Sequence, residues 1–190
     1  GPGVYNMFLI LAAVLAGSYA GYFISGKVQM TEMPQLVAAL HSFVGLAAVF
    51  IGLNAEMMLN SIITLRDSGL PMNLSELTGF GEKLWQKDYI EIGILKAEVF
   101  LGIFIGAITF TGSIVAFGKL AGKLDGSPKK LKGGHYLNAM SLFACLILGW
   151  MYLNGAGIWS MIIVTIISGF IGWHLIMGIR GADMPVVVSM

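Results

Sequence analysis

Residues 133–179 read GGHYLNAMSLFACLILGWMYLNGAGIWSMIIVTIISGFIGWHLIMGI, 47 positions without one Asp, Glu, Lys or Arg. The hydrocarbon core of a bilayer is about 30 Å thick and takes roughly 20 apolar residues as a helix rising about 1.5 Å per residue. This run is too long for one span, and Asn154-Gly155-Ala156-Gly157 divides it into two, at about 136–153 and 158–179. Outward from it, three more stretches lack charge: 1–26, 33–55 and 99–118. They place spans at about 5–25, 34–54 and 97–118. A further helix starts at Pro185 and covers 185–190. The expected fold class is all-α: a polytopic transmembrane helix bundle with five full spans plus the start of a sixth, residues 1–190 forming one membrane domain. The chain begins without Met and ends inside a helix, so it is expected to be an internal piece of a longer protein.

Composition excludes other classes. Apolar residues make up 57% of the 190 and charged residues 11%, against about 25% charged in a soluble domain. Eleven Lys and Arg against ten Asp and Glu leave a net charge of +1. No basic face is available for a nucleic acid, and the lipid bilayer is the expected surrounding. One cysteine, Cys145, excludes a disulfide framework and a thiolate metal cluster.

Loop charge suggests an orientation. Lys27, then Lys119, Lys123, Lys129, Lys130 and Lys132, then Arg180 follow the odd-numbered spans. Lys and Arg near span ends mark the cytoplasmic side. Residues 55–96 would then form an outer loop. Its amphipathic stretch near Leu84, Trp85 and Tyr89 is expected as a short interfacial helix.

Thr31-Glu32-Met33-Pro34 resembles Ala182-Asp183-Met184-Pro185 at an offset of 151 residues. Pro suits the first helical turn, and an acid just ahead of it meets the positive end of the helix dipole. The match is either a shared helix cap or a duplicated helix pair of the kind found in transport proteins.

Polar groups inside the spans are the functional candidates, because ionisable groups are costly at membrane depth. His41 lies about 10 Å into the second span, followed by Ser42, and is expected on a face with Gly45 and Gly52. Imidazole can accept a proton on one nitrogen and release one from the other; the other reading is a structural histidine bonded to a neighbouring helix. Glu98, Gly102, Gly106, Thr109 and Ser113 form a stripe along the third span. That stripe is either a packing seam built on Gly102 and Gly106 or a row of hydroxyls supporting water. His174 reads as packing or interfacial, and His135 as solvated. No glycine-rich strand–turn–helix motif, Walker lysine or metal-ligand cluster is legible.

Three blocks carry a resemblance: MTEMPQLVAALHSFVGLAAVFIG at 30–52, EVFLGIFIGAITFTGSIVAFGKLAGKL at 98–124 and GADMPVVVSM at 181–190, with GWHLIMGI at 172–179 in support. The chain resembles the membrane domain of the beta subunit of the proton-translocating NAD(P)+ transhydrogenases. The resemblance implies a proton-channel domain that couples hydride transfer from NADH to NADP+ with proton passage across an inner membrane, bacterial rather than mitochondrial. It implies that His41 of the HSFVG motif and Ser113 of the FTGS motif serve the proton path, with Thr109 and Ser42 beside them. It implies that Asp183 of GADMP, with Glu32 and Arg180, couples that path to an NADP(H)-binding domain absent from this chain. This stretch itself would bind no cofactor; NADP(H) and NAD(H) would act in the complete enzyme. The implied partners are an alpha subunit, the remainder of the beta subunit and a second protomer. A proton-coupled solute transporter is the rival reading, and a non-conducting assembly subunit a third. Continuation into a nucleotide-binding βαβ pattern would separate the first from both.

Overall fold

The computed structural model describes residues 3–69, 79–129 and 133–183, and these are helices joined by turns, without a strand. The helices are α1 (Val4–Ser25), α2 (Met33–Asp67), α3 (Gly79–Trp85), α4 (Tyr89–Leu120), α5 (Gly134–Leu153) and α6 (Ile158–Met177). Five of them are long and apolar enough to cross a membrane. The chain is an all-α membrane protein. The expected sixth span, from Pro185, lies outside the described residues.

Helix α4 is the centre of the bundle. It packs against α2 on one side and α6 on another, and α5 packs mainly on α6. Lipid tails give no hydrophobic drive between helices, so association rests on close approach and van der Waals contact. Small residues make that approach. A Cβ on Gly45 of α2 would lie 2.6 Å from the backbone nitrogen of Phe110 and 2.7 Å from the carbonyl oxygen of Gly106. A Cβ on Gly172 of α6 would collide with the carbonyl of Ile108 and the hydroxyl of Thr111. Helix α1 buries none of its residues.

Helices α2 and α4 run further than the charge-free stretches suggest. Helix α2 continues through Asp67, and α4 begins at Tyr89, capped by the Asp88 carboxylate on the Tyr89 N–H at 2.7 Å. Much of the supposed loop 55–96 is therefore helical. Counting the first charge as the end of a span misplaced the boundary, because that charge, Glu56, is buried at 1% exposure. Leu84 of α3 is buried with Leu59, Ile62 and Ile92, so α3 closes this end of the α2–α4 pair. Pro71 lies outside the described residues.

The two ends of the bundle differ. At one end Gln35 Nε2 donates to the carbonyl of Leu120 at 3.2 Å, and the Gly181 N–H donates to the carbonyl of Gly126 at 2.9 Å. At the other, Arg66 Nη1 donates to the carbonyl of Lys87 at 2.8 Å, and α5 turns into α6 through Gly155 and Gly157. Both glycines have positive φ, 99° and 70°, which favours glycine over any residue with a Cβ. The lysine-rich end is the one expected in the cytoplasm. With Cys145→Ala as background, a cysteine at Gly126 should label from the cytoplasmic side, and cysteines at Ser68 and Asn154 from outside. Labelling of position 126 from outside would reverse the orientation.

The 151-residue repeat has a structural counterpart. Short 3₁₀ turns span Met30–Glu32 and Gly181–Asp183, the same offset apart. The first leads into α2 with Pro34 in its opening turn.

Candidate functional site

The buried face of α2 carries Ala38, Ser42, Gly45, Val49, Gly52 and Glu56, each three or four residues from the last, as one helical face requires. His41 also keeps this spacing to Gly45 and Gly52, but at the edge of the face, where it is exposed, while Ser42 is buried. The His41 imidazole hydrogen-bonds within its own helix, with Nδ1 3.2 Å from the carbonyl oxygen of Val37. The Ser42 hydroxyl is buried at 7% exposure and donates to the carbonyl of Ala39 at 2.6 Å. The His41 ring and the Ser42 hydroxyl thus each keep a partner on their own helix.

The stripe on α4 divides between two neighbours. Gly106 sits in the α2 crossing, where an added Cβ would lie 2.9 Å from the Gly45 carbonyl oxygen, whereas a Cβ on Gly102 would meet nothing. Glu98 is exposed. Thr109 and Ser113 have turned away from α2. With Gly112, Gly172 and Leu175 they line a cavity of about 170 Å³ between α4 and α6, large enough for water. No hydrogen bond joins His41 to Thr109 or Ser113 among the described residues. The packing seam and the hydroxyl row are both present, on different stretches of one helix.

The lysine-rich end gathers the remaining candidates. Glu32, Arg180 and Asp183 are all exposed. Glu32 accepts the N–H of Gln29 at 3.2 Å across its 3₁₀ turn. Beneath Arg180, the Lys119 ammonium is buried at 5% exposure. It donates to the carbonyls of Ile176, Met177 and Ile179 at 3.2, 2.9 and 2.7 Å. A cation here meets the negative end of the α6 dipole and satisfies carbonyls that the helix leaves free. Lys119 therefore ties the end of α4 to the segment leading into Arg180 and Asp183. In the adjoining loop, hydrogen bonds from Ser127, the hydroxyl at 2.6 Å first, hold the Asp125 carboxyl below its ordinary pKa.

His174 is buried at 7% exposure. Its Nδ1 lies 2.7 Å from Asn138 Oδ1, and its ring stacks on Phe170 with centroids 6.0 Å apart. Gly134 is needed beside it, since a Cβ there would come within 2.6 Å of the imidazole. This is packing between α5 and α6.

Two groups escaped the sequence reading. Lys119 counted as one loop lysine among five. Glu56 counted as the first loop acid, yet it lies inside the bundle, hydrogen-bonded by the Tyr152 hydroxyl.

The family comparison matches residues 3–190 to the family described as NAD(P) transhydrogenase beta subunit. The chain belongs to that family. Two curated relatives from Rhodospirillum rubrum, each named NAD(P) transhydrogenase subunit beta, are 37% identical to it over 189 residues. The alignment covers 100% of this chain and 36% of each relative, so this beta-subunit chain spans about a third of their length.

Proposed function

We propose that this beta-subunit chain forms part of the path by which a proton crosses the membrane in a complete transhydrogenase, as hydride passes from NADH to NADP+. The observation that carries this reading is the pair of hydroxyls, Thr109 and Ser113, opening together on a cavity inside the apolar run of α4. Hydroxyls donate and accept, so they hold water in either orientation. A cavity of about 170 Å³ lined by two hydroxyls and no charge suits a few waters better than a solute, which speaks against the transporter reading.

His41 is the group that takes and gives the proton. Its neutral ring accepts a proton on one nitrogen, and the imidazolium releases one from either nitrogen, so one cycle returns the ring to its neutral form. Ser42, one residue on, anchors the buried side of the same turn. Glu32, Arg180 and Asp183 form the coupling surface, where an NADP(H)-binding domain would act. The Lys119 clamp supports this, because a push on the Arg180–Asp183 segment is carried to the end of α4, two turns from Ser113. Coupling of this kind needs two arrangements that the nucleotide domain and the proton path both bias.

NADP(H) and NAD(H) would bind outside this stretch. The partners would be an alpha subunit, the rest of the beta subunit and a second protomer, in a bacterial inner membrane.

The test uses complete enzyme in sealed vesicles, with a pH-sensitive dye and nucleotide turnover read in the same preparation. Turnover accompanied by proton movement supports the reading; turnover without it overturns the reading. Ser113→Ala should assemble normally and slow coupled turnover about fivefold, the cost of one hydrogen bond of about 1 kcal/mol. Wild-type coupling in Ser113→Ala would make the cavity a packing gap.

A further inference from the structure

Glu56 is an acid inside the bundle that the path described above does not use. It sits at 1% exposure on the buried face of α2, one turn from Gly52 and among core side chains that include Leu59 and Ile103. Its partner is the hydroxyl of Tyr152 from α5, itself 0% exposed. The Lys96 ammonium of α4 lies 5.6 Å from the centroid of the Tyr152 ring. Helix α6 brings one ionisable group only, His174, which is at its far end, and α3 leaves Glu82 and Lys83 exposed.

A buried acid needs a reason, because an uncompensated charge at this depth is costly. A structural ion pair would set Glu56 directly against a lysine. Here Lys96 makes no salt bridge with Glu56; the ion pairs among the described residues are the exposed Lys87–Glu91 and Lys129–Asp125. The acid is held instead by a phenol. A phenol donates to a carboxylate and accepts from a carboxyl, so the pair stays hydrogen-bonded whether or not Glu56 carries a proton. Lys96 approaches the Tyr152 ring without pairing with the acid.

We propose that Glu56, held by Tyr152, is a proton-holding group in the half of the bundle opposite the lysine-rich end. The proposal rests on the proton-path reading of this chain. The step is protonation alone: the Glu56 carboxylate takes a proton from water and later returns one, with no other bond made or broken. His41 lies fifteen residues back along α2, about 22 Å away along the axis. Glu56 is therefore a second station and not a direct partner of the imidazole.

The experiment measures the pH dependence of proton-coupled turnover for complete enzyme in vesicles. Glu56→Gln keeps the shape and a hydrogen-bonding partner for Tyr152 but can neither bind nor release a proton. It should lower coupled turnover about tenfold or more and remove one limb of the pH profile. Tyr152→Phe keeps the acid and should shift that limb along the pH axis. A merely structural pair would lower assembly without moving the profile. An assembled Glu56→Gln enzyme with the wild-type profile overturns the proposal. Should Glu56→Gln not assemble, infrared difference spectra between about pH 5 and about pH 9 decide the matter. A carboxyl band that Glu56→Asp displaces supports the proposal, and a band indifferent to that change overturns it. Wild-type enzyme that moves no protons would instead overturn the underlying reading.

Discussion

Replacing His41 with Ala in the complete enzyme should cut proton movement and the turnover coupled to it by about 100-fold or more, the scale of losing a general acid–base group. The structure makes this a clean experiment. His41 is exposed, and its imidazole hydrogen-bonds within its own helix, to the carbonyl of Val37. Truncation breaks no hydrogen bond between helices among the described residues, so assembly should persist. Loss of coupling then reports on proton transfer and not on folding. Hydride exchange that needs no net proton transfer should persist too, since the reading proposed above places nucleotide binding outside this stretch. His41→Asn keeps a hydrogen bond to Val37 but cannot cycle a proton near neutral pH, and should be as deficient as His41→Ala. Dye-reported proton uptake beside nucleotide turnover gives the answer. Normal pumping by an assembled His41→Ala enzyme would show that the proton runs elsewhere.

Gly106→Leu should prevent the bundle from assembling. A Cβ at this position would already lie 2.9 Å from the carbonyl oxygen of Gly45 and 3.0 Å from Ala48 Cβ, and Leu adds three more carbons beyond it. Overpacking typically costs about 1–3 kcal/mol where side chains can shift; here the nearest atom is backbone, which has no rotamer to change. The α2–α4 crossing must open or the helices must rotate, and either one disturbs Ser42 and Glu56 on the same face of α2. Gly45→Leu should behave alike, being 2.6 Å from the Phe110 nitrogen. Gly102→Leu should be tolerated, because nothing lies within reach of its Cβ. Thermal unfolding of purified protein in detergent, with the yield of assembled complex, checks all three. Equal damage from Gly102→Leu and Gly106→Leu would show that the crossing is not where these distances put it.

The contrast between Gly102 and Gly106 marks where sequence reading stops. Both belong to one small-xxx-small pattern, and periodicity puts both on one face. That face is wide enough to be shared, and only the angle at which α2 crosses α4 decides which glycine meets it. The same angle turns Thr109 and Ser113 toward α6 and leaves His41 exposed at the edge of the buried face of α2. A helical pattern fixes which residues lie together along one helix; it says nothing of the direction from which a neighbour arrives.

The sequence by itself determined the all-helical membrane class and the number of long spans, because bilayer thickness imposes a length that charge-free runs must meet. It also determined the chain's family, through motifs at 30–52, 98–124 and 181–190. It marked the paired turns before Met33 and Met184, through Pro and acid at a fixed offset. Only the tertiary structure decided that Glu56 and Lys119 are interior. Both look like span boundaries, because a charge in a linear reading means water. Each is buried by partners far away in the chain, Tyr152 for the acid and the carbonyls of 176–179 for the lysine. Burial of a charge is set by what faces it across the bundle, and that partner is invisible until the helices are packed.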